Sequence, residues 1–357
     1  MKQRIMNIRK RSLSDRINEN RALILVIAVF ILGAIFVPGF TNSNNLKSIL
    51  HGASLTAIVS IGFTIVMCTG HFDLSSGAAL MLCGSIAIGL RENGEMSWIL
   101  SIFLAVLAGG FIGLINGFLV TKGRISSFIV TLGMMKVVLG LNHIITRGVN
   151  LYLTTFILSD ILGKELFPLI TTTSIICIIL VVFFSFFMTR TKYGRNMFII
   201  GGNPQTAIAA GIRKDYYTTL AFVISGSLAA IGGVTFAIGM GTTTIQESLA
   251  TTTFTRVLSA TIIGGTLLSG GKGSVLKTYI AVLMLTTVFN VMGCYGVNFQ
   301  IQLMVNGLIF ATVVVYDSYA ELKSSRQKGQ RPNLVGEVIE LKKRLSHNIR
   351  SGENQVL

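Results

Sequence analysis

Residues 266–274, TLLSGGKGS, put Lys272 behind paired glycines, the raw material of a phosphate cradle. Such a cradle needs Gly, four residues, then Gly-Lys-Ser/Thr, so that backbone amides and the lysine wrap a phosphate chain. Here Thr266 stands at the first glycine's place and Gly273 at the hydroxyl's, and the stretch joins two apolar runs and follows no strand. It reads as a tight glycine turn, so this chain should bind no nucleotide and carry no cofactor. Other chemistry is equally sparse. No Ser/His/Asp set or carboxylate pair stands out. Cys68, Cys83, Cys177 and Cys294 lie in or beside apolar runs without CxxC spacing, which predicts buried thiols acting as small hydrophobes and no metal site. What remains is charge where charge is costly. Lys136 falls near the middle of an apolar run, a position that is either paired internally or functional. Asp73, in GHFDLSSG, is placed to cap a following helix or to face a pathway.

The surroundings explain that cost. The chain of 357 residues is 51% hydrophobic but only 12% charged, against about a quarter in soluble domains. Its apolar blocks approach the ~20 residues that cross a bilayer as a helix. The expected fold is therefore an all-α polytopic membrane protein of about ten transmembrane helices, at 22–38, 48–68, 74–90, 97–120, 125–146, 167–188, 218–240, 254–269, 275–293 and 300–317. The first run follows a basic segment, lacks a small-residue cleavage site and is read as an uncleaved span. Three parts follow: a cytoplasmic N-terminal segment (1–21), a transmembrane domain (22–317), and a cytoplasmic tail (318–357) in which Leu334, Val338, Leu341 and Leu345 mark an amphipathic helix.

A net charge of +16 raises the question of nucleic acid, but the bases cluster in short connections and at the two ends, not on a folded basic surface. Bases beside spans mark the cytoplasmic side. With a cytoplasmic N-terminus, the connections holding Lys122 and Arg124, residues 189–217, Lys272 and the tail from Lys323 all face inward; the acid-containing TGHFDL connection is the exception. Small residues in LAGGFIGLING and SGSLAAIGG predict closely packed spans. Two stretches, SIGFTIVMCTGHFDLSSG and TIIGGTLLSGGKGS, echo each other weakly, each an apolar run broken by Gly and Ser.

The polar island at 189–217 contains a helix start at Asn203-Pro204, since Asn caps well and Pro suits the first helical position. Gly211 supplies the stop. The intervening two turns are too short to be stable alone; they read either as a stray turn in an ordinary loop or as a short helix that needs a partner surface.

At this point the sequence resembles a known family, the ribose-type ABC importer permeases. TKYGRNMFIIGGNPQTAIAAGI follows their coupling-loop pattern, and TGHFDLSSG, LINGFLV, ISSFIVTLGMM, IIGGTLLSGGKGS and FQIQLMVNGLIF follow in family order between about residues 45 and 317. The resemblance implies a multi-pass subunit of the bacterial cytoplasmic (inner) membrane. It implies a second permease copy or paralogue, an extracytoplasmic solute-binding protein, and separate ATPase subunits that use ATP and Mg. Coupling would fall to Gly194, Arg195, Asn203, Pro204, Ala207, Ala209 and Gly211. Asp73, Asn116, Asn290 and Gln302 match family positions and are either interhelical glue or substrate pathway. Lys136 sits three residues before the family's usual base, on a stripe with Gly140, His143 and Arg147, and joins the pathway set with His143. The family's acids before IGGT are replaced by Phe254 and Arg256, which points to a solute more acidic than a plain pentose. The rival readings are a nucleoside or branched-chain amino-acid ABC permease, an ion-coupled secondary transporter, and a membrane scaffold or receptor.

Overall fold

A computed structural model describes residues 21–327. The basic N-terminal segment and the expected tail helix at Leu334–Leu345 lie outside the described residues. The chain divides into two compact units at Val313/Val314, inside the last described helix. The first unit holds α1 (Arg21–Phe36), α2 (Ser43–Cys68), α3 (Ser76–Glu92), α4 (Trp98–Thr121), α5 (Ser127–Thr146), α6 (Ile157–Gly163), a hairpin of β1 (Glu165–Phe167) and β2 (Ile170–Thr171), α7 (Thr172–Arg190), α8 (Lys192–Gly202), α9 (Pro204–Ala209), α10 (Lys214–Met240), α11 (Glu247–Ile263), α12 (Val275–Cys294) and the start of α13 (Phe299–Gln327). The described residues of the second unit continue α13.

Among the described residues seven helices, α2, α4, α5, α7, α10, α12 and the first 18 residues of α13, are long and apolar enough to cross a membrane. The chain is an all-α polytopic membrane protein. Of the remaining expected spans, α1 is a shorter apolar helix, and α3 and α11 are 17 residues each.

The bundle is organised around α10, which packs on α4, α3 and α2. Its hydrophobic window is 72% buried, as is that of α2, whereas α4, α5 and α7 bury about a third or less, so α2 and α10 form the interior. The two small-residue stretches face each other here. A Cβ at Gly226 would lie 2.1 Å from the Gly109 carbonyl, and one at Gly109 would lie 2.4 Å from the Gly226 carbonyl. The backbones touch, which is how helices gain packing energy in lipid.

Three sequence expectations need correction. The sixth apolar run starts at residue 172 and not 167: LFPLIT forms the hairpin, with Leu169 at φ 70, because Pro168 and β-branched residues favour a turn and strands. The eighth begins at Glu247 and ends at Ile263, before Gly264-Gly265, with Gly265 at φ 89. The last described helix carries its membrane-length window at Phe299–Tyr316, in line with the expected 300–317, and continues to Gln327. Cys294 is exposed, although Cys68, Cys83 and Cys177 are buried as expected.

Candidate functional site

Thr191 ends α7 and caps α8, its hydroxyl accepting from Gly194 N at 3.3 Å. Along α8, Gly194, Met197 and Ile200 recur every three residues and are buried, while Arg195 is exposed and donates to the Arg190 carbonyl at 3.4 Å. Gly194 is required: a Cβ there would lie 2.2 Å from the Met188 carbonyl. Phe187 stacks on Tyr193 (centroids 5.9–6.0 Å apart along Phe187–Tyr193–Tyr217), tying α8 between α7 and α10.

Asn203 then ends α8 and opens α9, its Oδ1 accepting from Gln205 N at 3.0 Å and Thr206 N at 3.1 Å, with Pro204 in the first turn. Ala207 is buried and its carbonyl accepts from Ile212 N at 3.0 Å, across Gly211 at φ 73. Ala209 is exposed and Ile208 is 62% exposed. The six-residue helix anticipated between Asn203 and Gly211 is thus present, with its apolar tip pointing outward. Its carrier, α8, is an element that the sequence reading passed over; the Gly194/Met197/Ile200 spacing was the available signal.

The α8–α9 pair is stitched to the bundle. Gly271 N donates to the Cys68 carbonyl at 3.0 Å, and a Cβ at Gly201 would lie 2.0 Å from that same carbonyl. The end of α2, the end of α8 and the 264–274 turn therefore meet backbone to backbone. The two echoing stretches of the sequence are the ones that touch here. A cleft of about 680 Å³ opens between α9 and the 69–75 connection, lined by Ile208, His71, Phe72, Arg124, Lys214 and Asp215. Asp215 accepts from Lys122 at 3.1 Å. Burial, and then the charge of Lys214, hold the His71 pKa down at about 4, so this imidazole is neutral at pH 7.

Beyond the cleft the 69–75 connection runs into the bundle. Asp73 is buried; Oδ1 accepts from Ser75 N at 3.1 Å and Ser75 Oγ at 2.6 Å, and Oδ2 from Ser225 Oγ of α10 at 2.7 Å. Asn116 of α4, also buried, donates to Ser75 Oγ at 2.8 Å. Phe72 N and Leu74 N donate to Ser127 and Thr131 of α5, each at 3.1 Å. Asp73 is not the helix cap expected: Ser75 occupies the cap position and makes no side-chain cap bond. Asp73 instead pins the break to α10, about 16 Å along that helix from its start.

The remaining pathway candidates separate. Lys136 and His143 lie on one exposed stripe of α5 with Gly140 and Arg147. Lys136 is ion-paired with Glu247 at the start of α11. Arg256 turns inward, its guanidinium carbon 4.3 Å from the Phe289 ring centroid. The expectation of an acid-seeking surface is thereby weakened, because one base is matched by an acid and the other is drawn into a ring contact. Asn290 donates to Asn45 at 2.9 Å, joining α12 to α2, and Gln302 donates to the Val297 carbonyl at 3.0 Å in the first turn of α13. Neither is brought near Asp73 by those bonds. Residues missed in the sequence are Ser75, Ser225, Glu247 and Asn142; nothing in their spacing announced them, since their partners Asn116, Asp73, Lys136 and the Thr244 carbonyl lie far along the chain.

Long apolar helices packed through glycine contacts, carrying a capped helix pair, define a multi-pass membrane protein. The chain belongs to the family of transport-system permease components: residues 45–314 match the family described as branched-chain amino acid transport system / permease component. It is thus a membrane component of a larger transporter and not an enzyme. It is similar to the ribose import permease protein of Bacillus subtilis strain 168, 32% identical over 82% of this chain and 89% of that one. It is also similar to the D-allose transport system permease protein of Escherichia coli K12 (31%; 82% and 89%) and to the L-arabinose ABC transporter permease protein of Azospirillum brasilense (30%; 85% and 88%). No solved structure matches the chain.

Proposed function

We propose that this chain is the permease subunit of an ATP-driven ABC importer that moves a sugar or sugar-like solute into the cytoplasm. It crosses the bacterial cytoplasmic membrane ten times, α1, α3 and α11 included, with both termini inside. A second permease copy or paralogue completes the pathway, a solute-binding protein delivers from outside, and ATPase subunits dock on α8–α9. No cofactor belongs to this chain; ATP and Mg are used by the partner. The permease's own part is to bind differentially and to rearrange between inward- and outward-open states.

The observation that carries this reading is α9: a capped two-turn helix with Ile208 outward, joined through Gly201 and Cys68 to the end of α2 and so to the Asp73 break. A helix this short has no stability of its own and gains it from a partner's groove. The sugar assignment rests on the named relatives, which are ribose, allose and arabinose permeases.

The test is uptake in proteoliposomes holding the full transporter and its binding protein. With internal ATP and with proton and sodium gradients collapsed, uptake of a neutral sugar should persist; without ATP it should stop. Uptake that follows the ion gradients and ignores ATP would support the secondary-transporter rival and overturn the proposal.

A further inference from the structure

We infer that the solute's aqueous route runs along the face where α5 meets the first two turns of α11, and that the Lys136–Glu247 pair with the hydroxyls behind it forms a charge-balanced surface for a neutral polyol. This deepens the proposed function and rests on it. Lys136 is the tenth residue of α5, about 14 Å along the helix, near the middle of a hydrocarbon core of about 30 Å. Its side chain is 60% exposed and that of Glu247 is 52% exposed. Charges presented to lipid at that depth cost several kcal/mol each by the lower scales, so a face that shows them meets water or other protein.

A second observation is independent of charge. The chain between Gly241 and Glu247 is irregular and descends beside α5. Leu151 N donates to Thr243 Oγ1 at 2.9 Å, Asn142 Nδ2 donates to the Thr244 carbonyl at 3.2 Å, and Glu247 reaches Lys136. So α11 begins inside the membrane. Irregular backbone at such depth survives only in protein or beside a water-filled cavity.

The exposed side of α11 then carries Glu247, Ser248 and Thr251, with Gln246 exposed at the cap position just before it. Thr251 lies one turn beyond Glu247 on the same face and donates to the Ser248 carbonyl at 3.1 Å, which leaves its oxygen lone pairs open to a ligand hydroxyl. Carboxylate, ammonium, amide and hydroxyl groups together supply acceptors and donors for a polyhydroxylated solute. Because the two charges cancel, neither anions nor cations are drawn in by a net field.

The experiment places a reporter thiol by Thr251→Cys in a Cys294→Ser background, which removes the exposed native thiol. The intact transporter in membranes is treated with membrane-impermeant thiol reagents, one anionic and one cationic. Modification by both at comparable rates is expected. Adding Glu247→Gln should leave Lys136 unmatched and speed the anionic reagent roughly five- to tenfold relative to the cationic one; adding Lys136→Gln should do the reverse. Ser248→Cys provides a second reporter should the first variant fail to assemble. No modification at either position, or an unchanged charge preference in both variants, overturns the inference. ATP-driven uptake by the unsubstituted transporter is measured on the same membranes. If that uptake holds while the thiols stay unreacted, the route is wrong and the proposed function stands; if uptake proves independent of ATP, the proposed function fails by itself.

Discussion

Ala209→Asp is expected to lower ATP-driven uptake at least ~tenfold while membrane insertion and thermal stability of the permease stay close to the parent. Ala209 is exposed on α9, and the backbone bonds that hold that helix, Asn203 Oδ1 to Gln205 N and Thr206 N, and Ala210 N to the Thr206 carbonyl, do not involve its side chain. A substitution at such a site changes folding stability by about 0.5 kcal/mol or less. In a docked interface the carboxylate is desolvated without a partner. An unpaired buried charge costs ~2–5 kcal/mol, and each 1.4 kcal/mol is about tenfold. Ala207→Asp should behave differently, because Ala207 is fully buried: it should melt α9 and destabilise the permease itself. Normal uptake by the Ala209→Asp variant would remove α9 from the coupling path.

Gly226→Leu is the substitution with the largest expected effect on the fold. The added Cβ would lie 2.1 Å from the Gly109 carbonyl, a backbone atom that cannot swing aside. Relief requires α4 and α10 to part, and α10 is the helix against which α4, α3 and α2 pack. Overpacking in an interior costs about 1–3 kcal/mol when side chains can yield, and a backbone clash places this change at or above the top of that range. A melting curve of the detergent-purified protein should shift down by several degrees, or the variant should fail to accumulate. Gly140→Leu is the control, since nothing lies within 4 Å of a Cβ there. Equal melting temperatures for the Gly226→Leu variant and the parent would show that α4 and α10 do not approach as described.

Much of this architecture was legible in the sequence because lipid imposes simple rules. Apolar length marks the helices, small residues mark their contacts, and Asn203-Pro204 and Gly211 mark both ends of α9 through local backbone chemistry alone. The failures share a cause. In LFPLIT an apolar run is a hairpin, since hydrophobicity says that a segment is buried and not how its backbone turns. Glu247 carried no signal in the sequence; it is the first residue of a helix starting beside Lys136, a pairing across 111 residues that no local pattern encodes. Asp73 read as either a helix cap or a pathway residue; its bond to Ser225, 152 residues away, is one that no local pattern encodes.

The central claim is that the exposed tip of α9 is the contact through which an ATPase moves the bundle. A photo-crosslinking residue in place of Ile208, in membranes containing the whole transporter, tests it most directly. The account predicts a covalent adduct between this position and the ATPase subunit, abolished when that subunit is omitted and absent from the same probe placed at the exposed Ile99, which lies at the start of α4. Probes at Ile208 that react only with lipid or with other parts of the permease would contradict it.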